Sequence, residues 1–199
     1  MMVENMQAPT ERQNWEGPMA MAQLPRVTEI LREAGLIDTT WFTERGANRG
    51  TAVHAACQFL DEGDLDLMTL DPQIEGYVRA YDAWRHDSGI MGAEWIECPR
   101  QDPMGLYRGT PDRVLVTRLR AVWDLKTGGY QTWVSLQLAA YVNMLPDPYS
   151  YSRYGLYLSA NGTYTVKEFP KTEYAADLSV FLSALNIVNW KRRANGNRK

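Results

Sequence analysis

Two short valine-rich runs, separated by a polar gap, place the strongest constraint on the fold of this chain. Residues 113–117 and 121–126 have the length and composition of strands, and only three residues separate them. They therefore predict an antiparallel hairpin. A second hairpin is indicated by residues 154–158 and 163–169, which flank an Asn-Gly pair, a strong signal for a tight turn.

Segments with helical spacing of apolar residues surround these strands. Five helices are predicted, at about residues 24–34, 50–63, 71–86, 132–145 and 172–193. Residues 94–98 are predicted to form one more strand. This order of helices and strands predicts an α/β sandwich. Residues 1–22 lack periodicity, so we expect a flexible N-terminal arm followed by a single domain over 23–199, which the 45% of hydrophobic residues supports.

The first hairpin carries three charged residues whose positions follow from strand geometry. If Asp112 faces Asp124 across the hairpin, the turn centres on Arg118, which lies in the polar gap. Because side chains alternate between the faces of a strand, Asp112, Asp124 and Lys126 then lie on one face. The sequence therefore predicts two carboxylates and an amine close together.

Two ionised aspartates facing each other would repel, because their Cβ atoms lie about 4.5–5.5 Å apart. A hard divalent cation such as Mg²⁺ removes the repulsion and keeps positions for water and a phosphate oxygen. Beside it, the Lys126 ammonium would hold an attacking water and offset charge on phosphorus, as metal-assisted hydrolysis requires. The same aspartates also suit an ordinary polar hairpin, with Asp124 paired to Lys126 on a solvated face.

Four motifs extend this pattern along the chain: RGTAVH at 49–54, GTPD at 109–112, DLKTG at 124–128 and QLAAY at 137–141. Together they resemble the PD-(D/E)XK nucleases of the RecB-like group, and most closely the small phage exonucleases. The resemblance implies a restriction-endonuclease-like core, a small mixed sheet flanked by helices, with extra N-terminal helices. It also implies a deoxyribonuclease dependent on Mg²⁺ or Mn²⁺, an exonuclease of phage or bacterial recombination, replication or repair.

The resemblance implies a role for each matching residue. The metal ligands would be His54, Asp112, Asp124 and the backbone carbonyl of Leu125. The catalytic residues would be Asp112, Asp124, Lys126, Gln137 and Tyr141. Gln137 and Tyr141 are four residues apart, which puts both on one face of a helix. Taken alone, a residue such as His54 is more often an ordinary helix histidine than a ligand, Gln137 would be a surface amide and Tyr141 a core residue.

Other side chains are candidates for secondary roles. Four arginines flank the motifs and suit phosphate contacts with DNA: Arg45, Arg49, Arg108 and Arg113. Glu94 and Glu97 are candidates for a further carboxylate at the site, with surface charge as the alternative. Trp133 and Trp41 are candidates for stacking on a splayed base.

Charge and cysteine content exclude some classes of protein. A net charge of −3 argues against coating nucleic acid by global charge, so DNA contacts must be local. Residues 191–199 hold five cations, which suit either a phosphate-attracting patch or a solvated helix end. Two cysteines, Cys57 and Cys98, are too few for an iron–sulfur cluster or a disulfide framework.

The expected setting is the cytoplasm, that of the host if a phage encodes the chain, since neither a signal peptide nor a membrane-spanning run is apparent. The expected partner is DNA, with a separate helicase or single-strand annealing protein, because the chain has no helicase segment. A structure-specific or nicking endonuclease is one alternative. A non-catalytic DNA- or partner-binding module on the same fold is another. The sequence does not indicate an oligomeric state.

Overall fold

A five-stranded mixed sheet lies between two layers of helices. The computed structural model describes residues 23–40, 43–116 and 119–196. The α-helices among them are α1 (Val27–Glu33), α2 (Glu44–Glu62), α3 (Pro72–Ser88), α4 (Val134–Asn143) and α5 (Tyr174–Gly196). The strands are β1 (Trp95–Ile96), β2 (Arg100–Gln101), β3 (Arg108–Gly109), β4 (Arg113–Leu115), β5 (Ala121–Lys126), β6 (Ser152–Leu158) and β7 (Tyr164–Phe169).

The strand order in the sheet is β1-β4-β5-β6-β7, and β2 pairs separately with β3. β5 and β6 are parallel, whereas the other neighbours are antiparallel. A parallel pair needs a crossover connection, and α4 supplies it between β5 and β6. The mixed α/β fold with preceding helices agrees with the fold class expected from the sequence.

Both faces of the sheet are covered by apolar side chains. Val114 and Val122 belong to a buried cluster with α1, α4 and α5. Their neighbours Leu115, Trp123 and Leu125 belong to a second cluster with α2 and α3. Successive residues of β5 therefore face opposite helical layers, as strand geometry requires.

The register of the first hairpin is confirmed. Val114 lies opposite Val122 and Arg113 lies opposite Trp123, which continues to Asp112 opposite Asp124. The predicted turn at Arg118 lies outside the described residues, as does the predicted arm over residues 1–22. The second hairpin is confirmed as well, because β6 and β7 pair antiparallel around the Asn-Gly turn.

Helix boundaries follow their capping residues. The predicted start of α3 is confirmed, since the Asp71 side chain accepts the Gln73 N–H at 2.8 Å and Pro72 takes the first helical position. α2 begins six residues before the predicted Gly50, because Thr43 caps it by accepting the Gly46 N–H at 3.0 Å. None of the helices in the described residues is long and apolar enough to cross a membrane.

Two short strands depart from the sequence predictions. The strand predicted over 94–98 contains only Trp95–Ile96, because Glu97 takes a left-handed backbone conformation with φ 45° and ends it. The pair β2–β3 was not predicted, since two-residue strands leave no periodic pattern. Both departures lie directly beside the candidate site.

Candidate metal centre

Two buried aspartates converge where the first hairpin ends. Asp112 immediately precedes β4, and Asp124 lies near the end of β5; they are 6% and 1% exposed. Asp112 Oδ2 accepts the backbone N–H of Leu125 at 2.6 Å, which ties its carboxylate to β5. The register and this bond place the two carboxylates on the sheet face that carries α4.

His54 reaches the same point from α2. Its Nε2 lies 3.0 Å from the carbonyl oxygen of Leu125. Its Nδ1 lies 3.5 Å from Asp112 Oδ1 and 3.4 Å from Glu97 Oε1. All three partners are acceptors, so both ring nitrogens face acceptors and the imidazolium fits the site. Burial by itself would lower the pKa of His54, but the charges of Asp112 and Glu97 raise it to about 10.

Glu97 joins this cluster through an unusual stretch of backbone. Its N–H donates to the Asp112 carbonyl at 3.0 Å while its φ is 45°, a conformation that costs a non-glycine residue energy. Its Oε1 also lies 3.6 Å from Arg113 Nη1 but makes no hydrogen bond among the described residues. The sequence identified Glu97 only as a candidate, because the left-handed backbone conformation that orients its side chain leaves no periodic signal.

Asp124 heads a chain of polar contacts that ends on α4. Its Oδ2 lies 2.5 Å from Lys126 Nζ, which donates to Gln137 Oε1 at 3.1 Å. Gln137 Nε2 in turn donates to the Tyr141 hydroxyl at 2.9 Å, and both side chains are buried. The structure therefore brings the four residues together, with Gln137 and Tyr141 on one helix face.

The two aspartates have opposite pKa shifts. Burial raises the pKa of Asp124 to about 6 against the lowering effect of Lys126, and the charge of Asp112 adds to the rise. Burial also acts to raise the pKa of Asp112, but the charge of His54 and its hydrogen bond outweigh it and lower the pKa. Neighbouring carboxylates whose pKa values are shifted in opposite directions are typical of sites that hold a cation or a proton.

The glycine of the GTPD motif has a steric role in this arrangement. A Cβ at Gly109 would lie 2.6 Å from Tyr141 Cε1 and 3.1 Å from Met144 Cε. β3 therefore approaches α4 so closely that only glycine fits. The contact holds the Tyr141 ring, and with it the hydrogen bond to Gln137.

The predicted DNA contact by Arg113 is wrong. The residue is 1% exposed and lies on the opposite sheet face, where Nε donates to Asp61 Oδ2 at 2.6 Å and to the Tyr81 hydroxyl at 3.1 Å. Its Nη1 donates to the Asp112 carbonyl at 2.7 Å. Arg113 thus supports the backbone of Asp112 from beneath the site and cannot reach a phosphate.

The other three arginines lie at pockets. Arg45 and Arg49 line one of about 460 Å³ between the starts of α2 and α3. Arg108 lines another of about 420 Å³ together with Glu97 and Tyr141, and its Nε donates to the Leu24 carbonyl at 3.0 Å. Their predicted DNA contacts stay predictions.

The remaining candidates have diverse positions. Lys126 Nζ lies 5.1 Å from the centre of the Trp133 ring, so Trp133 borders the site, whereas Trp41 lies outside the described residues. Glu94 accepts the Val116 N–H at 3.2 Å. In the C-terminal basic segment, Arg192 pairs with Glu29 and Glu33 of α1, which favours the structural role for that cation.

The donor set suits a divalent cation. One ligand atom from each of His54, Glu97 and Asp112 lies within 4.8 Å of the others. Glu97 Oε1 and Asp124 Oδ2 are buried and have ion pairs but no well-aligned hydrogen bond among the described residues. Anionic oxygens in this state, which face His54, Lys126 and Arg113 but accept no well-aligned hydrogen bond from them, fit a metal with oxygen and imidazole ligands.

No protein-family model matches this chain, and no curated protein matches it either.

Proposed function

We propose that this chain is a metal-dependent DNA nuclease of the PD-(D/E)XK type, which hydrolyses phosphodiester bonds with Mg²⁺ or Mn²⁺. One observation carries the proposal. Residues of three separate sequence motifs are in contact with one another. Asp112 accepts a hydrogen bond from the backbone of β5, Asp124 forms an ion pair with Lys126, and Lys126 donates a hydrogen bond to Gln137. An ordinary solvated hairpin does not explain two aspartates that are at most 6% exposed.

The cation would be held by Asp112, Asp124, the Leu125 carbonyl and His54, with Glu97 as a further carboxylate. When bound, it lowers the pKa of a coordinated water and stabilises negative charge on the phosphate. His54 must lose a proton to become a ligand, because both of its nitrogens now face acceptors.

Lys126 would act on the attacking water. Of its three N–H groups, one donates to Gln137 and one faces Asp124, which leaves the third for a water or a phosphate oxygen. Gln137 and Tyr141 position the ammonium and exclude bulk water behind it. The water gives up a proton and its oxygen forms a bond to phosphorus as the bond from phosphorus to the 3′ oxygen breaks. The 3′ oxygen takes up a proton from solvent, and we expect a 5′-phosphate and a 3′-hydroxyl.

The assignment of DNA as substrate rests on the sequence resemblance and on local cations. Arg108 lines a pocket together with Glu97, whereas Arg45 and Arg49 line a separate pocket between α2 and α3, where Arg49 Nε is a buried donor with no hydrogen-bond acceptor among the described residues. Guanidinium groups of this kind suit phosphate oxygens. Digestion from an end, in phage or bacterial recombination, replication or repair, is the role that the resemblance implies.

The test is digestion of linear DNA with Mg²⁺ or Mn²⁺, and with EDTA as the metal-free control. Lys126→Ala and Asp124→Asn should each lower the rate by at least about a hundredfold, the effect of removing a group that stabilises the transition state. Lys171→Ala, which removes an exposed lysine that donates to the Ser150 carbonyl, is the matched control and should digest normally. Undiminished digestion by both site variants, with wild-type melting curves, would overturn the proposal.

The substrate form separates the alternatives. An exonuclease degrades linear DNA and spares closed circles, whereas an endonuclease cuts both. If the wild-type protein binds DNA but cleaves neither linear nor circular DNA with any added divalent metal, it is a non-catalytic binding module.

A further inference from the structure

An aromatic pocket opens directly beyond the candidate lysine. The loop that follows β5 and the adjacent strands β6 and β7 enclose about 430 Å³, within the usual range for small-ligand sites. Its walls include Gly128, Gly129, Tyr130, Tyr157, Val166 and Lys167. We call it the tyrosine pocket.

The tyrosine pocket adjoins the metal centre along the sheet. Gly155 lies beside Asp124 in the parallel β5–β6 pair, and Tyr157 lies beside Lys126, so all four residues share one sheet face. The Tyr157 ring lies over Gly155, since a Cβ there would be 2.9 Å from Tyr157 Cε2. Burial is the main cause that raises the pKa of Tyr157 to about 12, and the negative charge of Asp124 adds to the rise. The pocket therefore lies next to Lys126, on the neighbouring strand of the same sheet face.

The outer wall of the pocket is chemically suited to a nucleobase. The Tyr130 ring lies in the loop that follows β5 and is 53% exposed, so a ligand can reach it. The Tyr130 and Tyr157 rings do not stack on each other; their centres are 6.1 Å apart and their planes differ by 53°. Tyr157 therefore does not cover a face of the Tyr130 ring by stacking on it.

Charge and space support the same ligand. Lys167 Nζ lies 5.9 Å from the centre of the Tyr130 ring, where an ammonium would meet a phosphate attached to a base stacked on that ring. A Cβ at Gly128 or Gly129 would meet no atom within 4 Å, so the mouth of the pocket is open. An aromatic face beside a cation is the arrangement with which proteins bind single strands without reading sequence.

We propose that the tyrosine pocket binds an unpaired nucleobase next to the scissile phosphate, with Tyr130 stacking on the base and Lys167 contacting a neighbouring phosphate. This inference rests on the proposed nuclease function and specifies the form of DNA that the site would bind. A base inside a duplex is covered by its neighbours, so the strand at the site must be single-stranded or frayed there.

The test is equilibrium binding of oligothymidylates of about 12 nucleotides, a length within the usual range for single-strand sites. Each contains one 2-aminopurine, placed near the 5′ end, near the 3′ end or in the middle, and Ca²⁺ replaces Mg²⁺ to limit cleavage. Wild-type protein should quench the 2-aminopurine fluorescence of at least one of these oligonucleotides. Tyr130→Ala should abolish the quenching and weaken binding about tenfold, whereas Tyr130→Phe should preserve both, because stacking needs the ring and not the hydroxyl.

Two further variants make the result specific. Tyr149→Ala removes a 68% exposed tyrosine before β6, at the opposite end of the parallel strands, and should behave as wild type. Lys167→Gln should reduce the slope of log affinity against log salt concentration by about 0.7, the value for one single-strand phosphate. Unchanged affinity and quenching in Tyr130→Ala would overturn the proposal.

Cleavage measured in parallel separates the two proposals. If wild type digests DNA but no probe is quenched, the tyrosine pocket proposal fails alone, and the exposed edge of β7 becomes a candidate surface for a protein strand. If wild type quenches a probe through Tyr130 but digests no DNA with any metal, the nuclease proposal fails while base binding stands.

Discussion

Replacing Gly109 by alanine should disable the site without touching any charged group. The new Cβ would lie 2.6 Å from Tyr141 Cε1, whereas carbon atoms in contact normally lie about 3.5–4.0 Å apart, so the ring must retreat by about 1 Å. Tyr141 is only 5% exposed, and it therefore cannot move into solvent. Overpacking of this kind destabilises a fold by about 1–3 kcal/mol.

The same displacement reaches the lysine. Gln137 donates to the Tyr141 hydroxyl at 2.9 Å, and a shift of about 1 Å exceeds the range of a hydrogen bond. Gln137 also accepts from Lys126, so we expect activity to fall by about a hundredfold, the typical effect of a 1 Å misplacement. Urea unfolding and metal-dependent digestion of linear DNA measure the two effects.

The matched control is Gly92→Ala, where a Cβ meets no atom within 4 Å. It should keep activity and gain about 0.4–1 kcal/mol, because alanine restricts the unfolded chain. On a Tyr141→Ala background, Gly109→Ala should cost much less, since the obstructing ring is gone and only the flexible end of Met144, at 3.1 Å, remains close. Wild-type stability and digestion by Gly109→Ala would refute the proposed role of this contact.

Three other substitutions test the surrounding structure. Gly76→Ala should destabilise the fold by about 3 kcal/mol or more in urea unfolding, because its Cβ would lie 1.8 Å from the backbone oxygen of Ala160; an unchanged midpoint would contradict that packing. Arg113→Met should cost about 1.5–3 kcal/mol, because it removes one of the two arginines that pair with the buried Asp61, Arg85 being the other; a variant that weakens only DNA binding would restore Arg113 as a contact. In EDTA, the stability advantage of wild type over His54→Gln should be complete below pH 6.5 and disappear as the pH rises through about 10, since folding raises the pKa of His54; a pH-independent difference would contradict the assignment of the imidazolium.

The features that repeat along the chain were predictable from sequence. The register of the β4–β5 hairpin follows from two valine-rich runs of known separation, and the structure has it as predicted. The early start of α2 was missed because residues 44–50 are largely exposed, so no apolar periodicity marks them. Helix ends set by a single cap such as Thr43 are visible only once the cap is recognised.

The errors at the site have a physical origin too. Arg113 was taken as a DNA contact because it adjoins Asp112 in sequence, yet alternation along a strand puts neighbours on opposite faces. The rule that placed Asp112 on the site face puts Arg113 on the other face, where α2 and α3 bury it. Glu97 depends on one left-handed residue and on a backbone bond to Asp112, neither of which a periodic pattern records.

The most direct measurement is the crystal structure of the protein soaked in Mn²⁺, with anomalous scattering to locate the ion. An ion touching the carboxylates of both Asp112 and Asp124, with Lys126 beside them, is the expected result. No anomalous density at saturating Mn²⁺, or density only at His54 and Glu97 with Asp124 still paired to Lys126, would contradict the proposed centre.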